Sequence, residues 1–176
     1  MVSAIGLGCL SFGGMFVATD TATSHQALDA AWDRGITFYD TANIYGAGRS
    51  ESVLGGWLAA RGHAAVVATK VGIDTTPPRG FNNTAPYIRA ELEASLRRLK
   101  TDHVALYYIH RRQQDIPLED VAGNMSRLVH LAEWSGADTL TLTDADRATI
   151  DQLLPPGFAH GDRYDAAQNI GPERYA

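Results

Sequence analysis

Cys9 is the only cysteine, so no internal disulfide can form and a reducing compartment is the expected setting. Long apolar runs are missing as well. No stretch of about 18 residues is apolar throughout, so no transmembrane helix is read from the sequence. No basic segment leads into a short apolar one near the start, so no secretory signal is read there. Positive charge is in short supply: 15 Lys and Arg against 20 Asp and Glu give a net charge of −5 and a pI near 5.6. That balance argues against nucleic acid or an anionic membrane as an electrostatic partner. There is no P-loop, no G-x-S-x-G and no Cys/His metal spacing. Internal repeats and low-complexity tracts are also lacking. The expectation is a soluble, cytoplasmic protein without a metal centre.

With 45% hydrophobic and 20% charged residues in 176, the composition is that of an ordinary globular domain. Four short apolar runs read as strands, at residues 4–8, 36–40, 64–69 and 103–109. Between them lie helical patterns at 24–34, at 50–60 with Ser50 as its cap, and at 86–100; a fourth follows Pro117. The alternation predicts a parallel α/β sheet. Residues 71–83 hold two prolines and two glycines and read as a long loop, a candidate pocket rim. After the fourth helix the pattern changes. Residues 131–142 have no clean period, and no fifth strand of the earlier type follows. Thr143 to Asp146 form a capping box opening a last helix that ends at Pro155-Pro156-Gly157.

Chemistry concentrates at strand ends. Asp40 ends the second run, Lys70 the third and His110 the fourth, and Tyr45 follows Asp40 by five residues. In parallel α/β folds, sites gather at the carboxyl ends of strands. Taken singly, each residue has a structural reading: a solvated Lys, an Asp turn, a core His, a packing Tyr. Together they favour a site. A tyrosine is a poor acid at pH 7 unless its phenolate is stabilised. An ammonium about 4 Å away contributes on the order of 4 kcal/mol at an effective dielectric of about 20. Asp40 would hold Lys70, and His110 would donate to a substrate oxygen. This set suits protonation of a carbonyl oxygen while hydride arrives at carbon. The text Gly6-x-Gly8…Gly13-Gly14 invites a dinucleotide reading, but Ser11 stands where G-x-G-x-x-G needs its third glycine.

The segments Ile5-Gly-Leu-Gly-Cys9, Asp40-Thr-Ala-Asn-Ile-Tyr-Gly46 with Arg49-Ser-Glu51, Ala68-Thr-Lys-Val71, and Ser95 to Asp102 running into Tyr107-Tyr-Ile-His110 resemble the aldo-keto reductase family. The resemblance implies Tyr45 as general acid, Lys70 and Asp40 as its tuning partners, and His110 as the carbonyl orienter. It also implies Gly8, Cys9, Leu10 and Asp40 as contacts of NADPH, bound without a Rossmann fold. The implied architecture is a (β/α)8 TIM-type barrel, here incomplete, with about four βα units plus a C-terminal helix. Residues 1–130 match the N-terminal (βα)4 part, and 131–176 resemble the family's extreme C-terminus. Strands five to eight have no counterpart, nor do the family's carboxamide-holding, ring-stacking and 2′-phosphate-binding residues.

The implied function is NADPH-dependent reduction of an aldehyde or ketone, the small-molecule substrate, to an alcohol. The alternative is a non-catalytic truncated remnant or half-barrel interaction subunit. Half a barrel leaves an inner face and two strand edges open. The expectation is therefore a homodimer formed edge to edge, or a C-terminal helix folded over the opening.

Overall fold

The computed structural model describes residues 2–14 and 19–129. The readings made for 131–176, including the helix opened by Thr143, lie outside the described residues. Four strands, β1 (Gly6–Gly8), β2 (Phe38–Asp40), β3 (Val66–Val71) and β6 (Leu106–Ile109), form one parallel sheet in the order β1-β2-β3-β6. Helices α1 (Thr21–Trp32), α2 (Arg49–Arg61) and α3 (Ala85–Leu99) connect them, and α4 (Leu118–Val129) follows β6. This is the predicted α/β rhythm.

Side chains alternate across a sheet, and one face here is the core. Tyr39 and Val67 pack with Leu28, Val53, Leu54, Trp57 and Leu99 from the helices, and Thr69 and Val71 are fully buried on the same side. The other face carries Gly6, Gly8, Phe38, Asp40, Val66, Lys70 and Tyr108; all are half-buried or exposed. Only Ala68 is buried there. Pairing of Asp40 with Ala68, and of Lys70 with Tyr108, puts the predicted site groups together on that open face.

Several boundaries differ from the sequence reading, each for a local reason. Helix α1 starts three residues early because the Asp20 carboxylate accepts from the Thr23 N–H at 2.6 Å, a cap invisible to apolar periodicity. Gly35, at φ +80°, supplies the left-handed residue expected after it. Ser50 is not the cap of α2; Gly48 is, with φ +89°, and Ser50 lies inside the first turn, fully buried. Lys70 lies within β3 rather than beyond it. The long loop contains a small hairpin, β4 (Ile73–Asp74) paired with β5 (Gly80–Phe81). Strand β6 begins at Leu106 rather than at residue 103, and His110 follows its end as read.

Candidate active site

The peptide after β2 clings to β3. Thr41 N–H donates to Ala68 C=O at 2.9 Å and Asn43 N–H to Lys70 C=O at 3.2 Å. The chain then coils through Gly46, Ala47 and Gly48, all at positive φ (61°, 53° and 89°). Ala47 is the unusual one, since a Cβ disfavours this region. The coil fixes Tyr45 over the end of β3.

Lys70 is the hub. Its ammonium has three N–H donors. One forms the ion pair with the Asp40 carboxylate, one reaches Thr41 C=O at 2.8 Å, and one reaches Tyr45 Oη at 3.3 Å. Nζ lies 4.9 Å from the Tyr45 ring centroid. The ring of His110 meets Tyr45 edge-on, with centroids 5.7 Å apart at 83°. His110 is itself placed by its N–H, which donates to Val71 C=O at 2.6 Å and extends the β3–β6 ladder by one residue. All four predicted proton-handling residues therefore converge.

The three first-strand residues divide. Gly8, in register with Asp40, is exposed, and a Cβ there would meet nothing within 4 Å. Leu10 begins the 3-10 turn Leu10–Gly13 and is half-buried. Cys9 turns the other way. Its side chain is fully buried in the core, and burial pushes its thiol up to about 12. Both of its backbone groups are engaged: the N–H donates to Asp40 C=O at 2.8 Å, and the C=O accepts from Ser50 Oγ at 2.7 Å. The residues present thus fit one end of a nicotinamide cofactor, with open room over Gly8 beside Asp40, and Cys9 serves the core beneath.

Sequence reasoning missed four supports. Thr41 contributes a carbonyl, which no motif reports. Ser50 looked like a cap because its residue type and position suit one. Glu51 is fully buried, accepting from Thr69 Oγ1 and from Arg98 Nε, both at 2.6 Å. Asn83, also buried, accepts from Gln113 N–H at 2.5 Å and donates from Nδ2 to Arg111 C=O at 3.1 Å, bracing the loop that follows His110.

Gly13 gives the glycine-rich text a different meaning. A Cβ there would lie 2.6 Å from the Tyr45 carbonyl carbon and 2.7 Å from Gly46 N. The glycine permits backbone contact with the turn that carries Tyr45. Gly13→Ala is expected to cost about 1–3 kcal/mol by overpacking and to move Tyr45. Thermal melts and a crystal structure of the variant check it; an unshifted Tyr45 with an unchanged melting temperature would refute the contact's importance.

A model of the Aldo/keto reductase family matches residues 4–136. The chain belongs to that family. It is 35% identical over 133 residues to the NADP(+) aldo-keto reductase yakc of Schizosaccharomyces pombe, covering 73% of this chain and 39% of that one. It is 38% identical to aldo-keto reductase YhdN of Bacillus subtilis over 130 residues, covering 72% and 39%. Among solved structures, the holo form of aldo-keto reductase AKR11C1 from Bacillus halodurans superposes with a TM-score of 0.64 at 31% identity, covering 72% of this chain and 42% of that one. The glycerol dehydrogenase AKR11B4 from Gluconobacter oxydans gives 0.65 at 32%, covering 72% and 41%. The chain spans about two fifths of these relatives' length. As an aldo-keto reductase fold, the described part is a partial barrel, four parallel strands with their helices.

Proposed function

We propose that this chain carries the acid half of a carbonyl reductase site, with Tyr45 as proton donor. The observation that carries the reading is the Lys70 ammonium shared among Asp40, Thr41 C=O and Tyr45 Oη. A substrate oxygen near Tyr45 Oη takes the phenolic proton as the carbonyl becomes an alcohol. The Lys70 charge lies where negative charge develops on Oη, and a fixed charge aimed at that point lowers the barrier. Asp40 keeps Lys70 in place, and His110, against the Tyr45 ring, orients the carbonyl. When bound, NADPH supplies the hydride to the carbonyl carbon. Gly8, Leu10 and Asp40 would hold its nicotinamide end.

The test is calorimetric titration with NADPH, followed by aldehyde-dependent loss of NADPH absorbance. Micromolar binding with turnover supports the reading. Absence of binding up to millimolar NADPH overturns it.

A second reading is a non-catalytic half-barrel subunit. The open sheet face favours it: Tyr108, on that face, is 40% exposed. At the sheet ends β1 and β6 each have one strand neighbour among the described residues, and edge-to-edge pairing of two copies would cover them. A dimer mass by light scattering together with no NADPH binding supports this reading. A monomer that turns over aldehyde rejects it.

A further inference from the structure

Ser50 makes three bonds that no motif predicted. Its backbone N–H donates to the carbonyl of Tyr45 itself, at 3.1 Å. Its Oγ donates to Cys9 C=O at 2.7 Å, and the same Oγ lies 2.9 Å from Thr41 Oγ1. A serine hydroxyl has one proton, and a carbonyl can only accept. The proton therefore goes to Cys9 C=O, and Thr41 Oγ1 must donate to Ser50 Oγ. The relay runs Thr41 O–H to Ser50 O–H to Cys9 C=O. Ser50, Thr41 and Cys9 are all fully buried, so water cannot stand in for a lost partner.

The relay ends on the groups that matter. Thr41 supplies the carbonyl that takes one of the three Lys70 N–H bonds. Cys9 lies between Gly8 and Leu10, the open strand end beside Asp40. We infer that Ser50 and Thr41 are positioning residues: their hydroxyl pair locks the Thr41 carbonyl so that the Lys70 ammonium is held at Tyr45, and ties that group to the end of β1. Neither side chain needs to touch substrate. The inference builds on the assignment of Lys70 as the charge beside the acid, but its test needs no catalysis.

The composition supplies a simple assay. The chain has two lysines, Lys70 and Lys100. Lys100 is exposed at the end of α3, and the Lys70 side chain is 15% exposed. Acylation by acetic anhydride, read by mass spectrometry on the full chain, therefore gives a Lys70-to-Lys100 rate ratio with its own internal reference. Thr41→Val keeps the shape and the carbonyl but removes the hydroxyl; Thr41→Ser restores it. The ratio is expected to rise about threefold or more in Thr41→Val and in Ser50→Ala, as the Lys70 bonds loosen, and to return to the parent value in Thr41→Ser. A solely structural hydroxyl would lower the melting temperature without moving this ratio.

Asp40→Asn separates the two ways of failing. If Asp40→Asn raises the ratio and Thr41→Val does not, the positioning role is wrong and the Lys70 clamp stands. If Asp40→Asn also leaves it unchanged, the clamp is absent, and the positioning role and the proposed function fall together. Should Ser50→Ala not fold, the Thr41 pair decides alone.

Discussion

Tyr45→Phe is expected to lower aldehyde-dependent NADPH oxidation by about 10²–10⁴-fold, the usual contribution of a positioned general acid. That corresponds to roughly 3–5 kcal/mol of barrier. The substitution removes one oxygen and leaves the rest of the constellation in place. The ring still meets His110 edge-on and still underlies Lys70 Nζ, and Lys70 retains Asp40 and Thr41 C=O. Stability should change by about 1 kcal/mol or less, the worth of one half-exposed hydrogen bond. NADPH affinity should stay within about twofold, since the contacts assigned to the nicotinamide end are Gly8, Leu10 and Asp40. The separation of the two effects is the point. Turnover within tenfold of the parent would show that some other group gives the proton; a collapse of folding would show that Oη is structural. Steady-state kinetics, calorimetry and a thermal melt on the same preparation distinguish these results.

Glu51→Ala is expected to act on stability instead. Glu51 lies at 0% exposure in the first turn of α2, with one carboxylate oxygen held by Thr69 Oγ1 and the other by Arg98 Nε. Arg98 in turn donates to Ser95 Oγ at 3.1 Å, so the carboxylate joins β3, α2 and α3. Removing one member of a buried ion pair costs about 3–5 kcal/mol because the remaining groups lose their compensation. Against a typical net stability of about 5–15 kcal/mol, that is a large share. For a chain of this size each kcal/mol shifts the melting temperature by roughly 2–4 °C, so a fall of about 10 °C is expected by circular dichroism. Glu51→Gln, which keeps an acceptor for Thr69, should lose less. A fall of under 2 °C for Glu51→Ala would mean that the pair contributes little beyond filling space.

Much of this protein can be read from residue order. Short apolar runs located four strands and period-3.6 patterns four helices, because a strand buried on both sides is apolar along its length and burial of one helix face imposes that period. The segment Asp40 to Gly46 and the strand-end Lys70 and His110 pointed to the candidate site, since sites in parallel α/β folds gather at the carboxyl ends of strands. Boundaries were less legible. Asp20 caps α1 through a contact local to its own turn. Ser50 resembled a cap because residue type alone does not say which way a hydroxyl points.

What sequence by itself determined is the family and the order of the elements, and it nominated four candidate proton-handling residues. The order follows from local pattern, the family from the resemblance of its motifs, and the candidates from the chemistry of single side chains. Only the tertiary structure decided how the four are held. It turned Cys9 into the core while leaving Gly8 open, made a backbone carbonyl the third acceptor for Lys70, and linked Ser50 to Cys9, Thr41 and Tyr45 at once. It also made Gly13 a contact for the Tyr45 turn rather than part of a phosphate loop. The physical reason is the same in each case. Hydrogen-bond direction and close backbone approach depend on which segments the sheet register brings side by side, and in this chain those segments lie about 30–40 residues apart.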